Sequence, residues 1–113
     1  MSASQEFDRN LSLLAELTPK GFGLGLHIRF ASAHRLIQTY DPRWVELYTE
    51  RGYILADPTV FWGFGNDGAR RWSEIDLPDP HNVLGQAAEH GLKYGVVVAC
   101  GPTSSRSIGG FAR

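Results

Sequence analysis

Apolar and polar positions change period several times along this chain, and each change marks an element. Residues 6–17 (EFDRNLSLLAEL) place Leu11, Leu13, Leu14 and Leu17 at helical spacing, which predicts a short amphipathic helix that stops before Thr18-Pro19. From 21 to 30 the period falls to two: Phe22, Leu24, Leu26, Ile28 and Phe30 alternate with Gly21, Gly23 and Gly25. That is the pattern of a half-buried strand, and the glycines imply close packing against its other face. Residues 33–40 read as a second strand paired with it.

The dipeptide Asp-Pro then occurs three times, at 41–42, 57–58 and 79–80. Asp is a good N-cap, and Pro suits the first helical position because its missing N–H would have no partner there. Helices are therefore expected from 42 to about 51, ending at Gly52, over 58–64, and from 80 to Gly91, with Val83, Leu84, Ala87 and Ala88 on one face of the third. Residues 70–73 suggest a short strand. Residues 94–100 (YGVVVAC) suggest a buried one, and 107–112 a last strand that closes a hairpin. The order helix, two strands, helices, strand, helix, hairpin suits an α/β (α+β) fold. In it an antiparallel sheet of about five strands is sandwiched by helices, with a ligand pocket between sheet and helices.

Length and charge narrow the possibilities. At 113 residues the chain is expected to be one domain, 1–113, large enough for a real core and one pocket but not for a multidomain enzyme. The net charge is -1 and the basic residues are scattered, so no nucleic-acid face is visible and no direct nucleic-acid binding is expected. Cys100 is the single cysteine, which excludes an internal disulfide and a cysteine-based zinc site and fits a reducing cytoplasm. No stretch is long and apolar enough for a membrane span or a signal core, so cytoplasmic localisation is expected. His27, His34, His81 and His90 lack metal-ligand spacing. Ser104 and Ser105 lack the context of a nucleophile, and Gly21-x-Gly23-x-Gly25 opens a strand rather than a helix. Neither an enzyme, nor a metal site, nor a bound cofactor is expected. Cys100, at the end of an apolar run, reads as a small buried hydrophobe.

What stands out is a crowd of aromatics. Tyr40, Trp44 and Tyr48 recur every four residues and so share a helix face. Tyr53, Phe61, Trp62, Phe64 and Trp72 follow, with Asp57 among them. Such spacing also serves an ordinary core, and an Asp before Pro also serves as an ordinary cap. An apolar wall with a few polar handles and one carboxylate is, however, the chemistry of a site for a small amphipathic ligand.

The joint pattern Tyr40-x3-Trp44-x3-Tyr48-x8-Asp57-Pro58-x13-Trp72, with Gly91-x3-Gly95 before an apolar strand, resembles the autoinducer-binding domain of LuxR-type quorum-sensing regulators. The resemblance covers about residues 20–112, with Trp44, Tyr48, Asp57-Pro58, Trp72 and Gly95 at the family's positions. It implies a signal-sensing domain that binds an N-acyl homoserine lactone. Trp44 would donate to the lactone carbonyl, Asp57 would accept the amide N–H and Tyr40 would donate to the acyl carbonyl. Trp72 would pack on the lactone ring and Tyr48 would line the acyl path. Leu26, Ile28, Val60, Phe61 and Val96 would meet the tail, and Pro58 and Gly95 would be structural. The family's Ser or Thr on the last strand has no secure match, with Ser107 or Ala112 falling near it. The family's DNA-binding helix-turn-helix is not expected in this shortened, stand-alone domain. It would then sequester signal, or act as a homodimer or as a heterodimer with a full-length LuxR-type regulator. The alternative is a ligand-free interaction module that modulates such a regulator through heterodimerisation.

Overall fold

The computed structural model describes residues 2–29 and 32–113. Helix α1 (Ala3–Leu17) starts three residues before the helical run in the sequence. The reason is a capping box: the Ser2 side chain accepts from the Gln5 N–H while the Gln5 side chain accepts from the Ser2 N–H, satisfying two donors at the helix end. Strands β1 (Gly21–Arg29) and β2 (Ser32–Gln38) form a hairpin, and α2 (Pro42–Glu50) and α3 (Pro58–Gly65) follow their Asp caps as expected. Phe30, the last apolar position in the β1 alternation, lies outside the described residues.

The remaining elements are β3 (Gly68–Arg71), α4 (Val83–Glu89), β4 (Gly95–Cys100) and β5 (Arg106–Ala112). Two of them correct the sequence reading. The short strand ends at Arg71, and Trp72–Glu74 turns away as a single 3-10 turn. The third Asp-Pro does not open its helix directly. Asn82 takes a left-handed conformation (φ 53°) and α4 begins at Val83. Asp79 still caps it, because its two carboxylate oxygens accept from the N–H groups of Val83 and Leu84 at 2.8 and 3.0 Å.

Among the described residues the strands form one antiparallel sheet in the order β2-β1-β5-β4-β3. Helices α2 and α4 pack on one face: Trp44, Val83, Ala87, Leu92 and Ala112 share a buried cluster. Beside it Trp62 of α3 packs with Val97, Ala99 and Ile108. On the other face Phe22 meets Phe111, with ring centroids 6.0 Å apart, and Arg35 covers the ring of Phe7 from α1. Alternation along β4 turns Val97 and Ala99 inward, so Cys100 falls on the outer face and is exposed, not buried.

Arg106 ties the end of α3 to the β4–β5 connection. Its guanidinium is buried and donates to the carbonyls of Gly63, Gly101 and Asn66, with Asp67 as ion-pair partner. Five N–H donors in a fixed fork allow one side chain to collect several carbonyls, that of Gly63 among them buried.

Candidate ligand cavity

A cavity of about 280 Å³ lies between the sheet and helices α2, α3 and α4. Tyr40, Trp44, Tyr48, Asp57, Val60 and Trp72 all line it. Phe61 does not: it is 54% exposed. Its neighbours on α3, Val60 and Phe64, take the inward face, since residues four apart share a helix face and Phe61 is turned away from it.

The strand positions are also partly reassigned. Ile28 lines the cavity, but Leu26 does not. The cause is a bulge at His27, which has a positive φ of 52° where the pairing of β1 with β5 shifts between Gly25 and Ile28. The extra residue inverts the alternation, so Gly23, Gly25 and Ile28 share the cavity face. The bulge is held by Ser107, whose hydroxyl accepts the His27 N–H at 3.1 Å, and by Ser105, whose hydroxyl lies 3.0 Å from Nδ1. On β4 it is Val97, not Val96, that lines the cavity.

On β5, Ile108 and Gly110 face the cavity. Ser107 is engaged with the bulge, and Ala112 packs in the Trp44 cluster. Neither offers a hydroxyl to the cavity. Gly110 faces the cavity with only its backbone, and the Tyr40 hydroxyl donates to its carbonyl at 2.7 Å. Glycine is required for this contact, because a Cβ at 110 would sit 2.8 Å from the Tyr40 oxygen. A Cβ at Gly23 would come within 3.0 Å of the Tyr40 ring, so the two glycines let Tyr40 lie flat on the sheet. Gly95 does the same for Trp72, whose ring would be 2.4 Å from a Cβ at that position. The Trp72 indole N–H is buried and has no hydrogen-bond partner among the described residues.

Asp57 is the charged group of the site, 8% exposed. Oδ1 caps α3 by accepting from the Thr59 N–H at 2.8 Å and from the Thr59 hydroxyl at 2.7 Å. Oδ2 accepts from the Tyr48 hydroxyl at 2.8 Å. Burial pushes the carboxyl up from its ordinary value, against these hydrogen bonds, which favour the ionised form. Burial and the nearby carboxylate together push the Tyr48 and Tyr40 hydroxyls well above the usual phenol range, so both stay protonated as donors. An ionised carboxylate has about four acceptor positions. Three are filled, which leaves one on Oδ2.

The aromatic face of α2 is thus both core and site. Trp44 packs edge-on to Tyr48 (5.7 Å) and near Tyr53 (6.3 Å) while it lines the cavity. Tyr53 is purely core: it does not line the cavity, and its hydroxyl accepts from Gln86 Nε2 at 2.9 Å. Thr59, Leu36, Ile54 and Leu55 also line the cavity, and nothing in the local sequence pattern distinguishes them; Phe64, one of the crowded aromatics, lines it as well. Among the described residues no group of three or more His, Cys, Asp or Glu is placed to hold a metal ion, and no helix is long and apolar enough to cross a membrane.

An antiparallel sheet with a largely apolar cavity under its helices, and one buried carboxylate at the cavity wall, has the form of a domain that binds a small ligand. The family model described as the autoinducer binding domain matches residues 29–111, and the chain belongs to that family. Solved structures of two regulators are among those that share the fold. The N-acylhomoserine lactone dependent LuxR family transcription factor CepR2 from Burkholderia cenocepacia matches with a TM-score of 0.71 at 19% identity, over 91% of this chain and 62% of its own. SdiA from Escherichia coli matches with a TM-score of 0.75 at 19% identity, over 100% of this chain and 50% of its own. SdiA in complex with octanoyl-rac-glycerol matches equally well, with a TM-score of 0.75, over 48% of its chain. The chain therefore spans about half to three-fifths of the length of these regulators. No match was found among curated proteins.

Proposed function

We propose that this domain senses an N-acyl homoserine lactone or a similar single-tailed amphiphile. The observation that carries the reading is the convergence of Tyr40, Trp44, Tyr48, Asp57 and Trp72 on one cavity with a buried carboxylate. The free position on Asp57 Oδ2 suits the amide N–H of such a ligand, a charge-assisted hydrogen bond of about 1.5–3 kcal/mol. Trp44 would donate to the lactone carbonyl, and Trp72 would stack on the ring. Tyr40 would exchange the Gly110 carbonyl for the acyl carbonyl. The apolar walls at Ile28, Val60, Val97 and Ile108 would take the tail. CepR2 is described as N-acylhomoserine lactone dependent and SdiA as complexed with octanoyl-rac-glycerol, which supports a head with hydrogen-bonding groups on one acyl chain.

Thermal unfolding with a panel of acyl homoserine lactones tests this. A ligand at 100 times its Kd should add about 2.7 kcal/mol of stability. Asp57→Ala should remove most of that shift while the protein still folds. No shift with any lactone or monoacylglycerol overturns the reading.

The second reading concerns partners. Helix α1 exposes Leu13 (47%) and Leu17 (71%), which supports a contact with a second copy or with a full-length LuxR-type regulator. Sedimentation of the domain alone and mixed with such a regulator tests it. A strict monomer in both cases speaks against it.

A further inference from the structure

The cavity has two unlike ends. Its polar groups gather over the middle of the sheet, where Tyr40 reaches Gly110 of β5 and Trp72 lies on Gly95 of β4. The other end runs to the β2 edge, where Leu36 stands opposite Gly25 in register. From β5 across β1 to β2 is two strand spacings, about 9–10 Å. Leu36, Ile54, Leu55 and Phe64 line the cavity, yet they are 60%, 48%, 73% and 41% exposed. Side chains that line a cavity while facing solvent mark its mouth. These four come from three separate elements: a strand, a 3-10 turn and a helix. A contiguous apolar rim on a soluble domain marks a surface that something covers, and this one is continuous with the apolar wall behind it.

We infer that this mouth is an exit for the ligand's tail. Its occupant is the distal part of a single unbranched acyl chain whose head lies at Asp57. Tails longer than the cavity emerge between Leu36 and Leu55 instead of being rejected. The domain then selects on the head and tolerates tail length, with the rim as the determinant. This rests on the function proposed above.

Titration calorimetry of the whole chain with butanoyl, octanoyl and dodecanoyl homoserine lactone tests it. Each methylene inside the cavity should raise affinity about fourfold. Beyond the rim the gain per methylene should fall below about twofold without becoming a loss. Leu36→Ser and Leu55→Ser alter exposed side chains, so folding is preserved. They should weaken dodecanoyl binding by about three- to tenfold and leave butanoyl binding within about twofold. Dodecanoyl binding tenfold or more weaker than octanoyl means a closed end and overturns the inference, while the head assignment stands. Equal losses for short and long tails overturn it as well. A rim variant that changes the sedimentation coefficient but not dodecanoyl affinity shows that a second copy covers the rim, again overturning it. If no lactone binds, the head assignment fails and the tail exit fails with it.

Discussion

Tyr48 and Asp57 are joined by a 2.8 Å hydrogen bond that spans from α2 to the start of α3. It sets both the shape of the cavity wall and the state of its one buried carboxylate. Tyr48→Phe removes the donor and leaves Oδ2 with its acceptor positions empty. The loss should be about 1.5–3 kcal/mol of stability, since the acceptor is charged. Urea unfolding of the two proteins at neutral pH checks it, and equal midpoints would mean that water replaces the hydroxyl.

The pH dependence follows from the same carboxylate. Burial raises the Asp57 carboxyl above its ordinary 3.8, so between that value and the raised one the folded state holds more protons than the unfolded state. Stability from this group is therefore greatest below 3.8 and is lost as pH rises through the raised value. Asp57→Asn should flatten that part of the stability curve. Unfolding free energies across the acidic range check this, and parallel curves for the two proteins would contradict it.

Gly95 and Trp72 predict a steric effect. A Cβ at 95 would lie 2.4 Å from three atoms of the Trp72 ring, a rigid body that cannot fold aside as a flexible chain end would. Gly95→Ala should cost about 1–3 kcal/mol, as overpacking typically does. It should also shift tryptophan emission as the ring is pushed from its buried position. Unchanged emission and stability would show that the ring has room to move.

Gly110 is the milder version of this contact. Its Cβ would meet the Tyr40 hydroxyl, at 2.8 Å, rather than a ring face. Gly110→Ala should break the bond from Tyr40 to the 110 carbonyl, at about 0.5–1.5 kcal/mol. Measured by thermal unfolding, its effect should be smaller than that of Gly95→Ala.

Arg106 and Asp67 should behave unequally although they are paired. Arg106→Ala leaves the buried Gly63 carbonyl unpaired and should cost about 1–3 kcal/mol. The Asp67 side chain is 79% exposed, so Asp67→Asn should change stability by less than about 1 kcal/mol. Comparable losses in chemical denaturation would show that the ion pair, not the carbonyl contacts, holds the loop.

Element identities were legible in the sequence because they depend on neighbours. The Asp-Pro caps at 41–42 and 57–58, the helical spacing of Trp44 and Tyr48, and the apolar run into β4 each state their structure within a few residues, whereas Tyr40 lies two residues before α2 rather than on it. That Tyr40, Trp44, Tyr48, Asp57 and Trp72 line one cavity was foreshadowed too, because aromatic donors and one carboxylate are unusual enough to be noticed together. Tertiary contacts decided the rest. The bulge at His27 is tied to Ser105 and Ser107, some 80 positions along the chain, and it brings Ile28 onto the cavity face that alternation with Gly25 denies to Leu26. Phe61 gave way to Phe64 because the sheet fixes which side of α3 is inner. Leu36 of β2 and Ile54 and Leu55 of the 3-10 turn at 53–55 line one cavity only in the folded chain. A local pattern records what a residue prefers, whereas facing, exposure and shared cavities are set by distant parts of the chain.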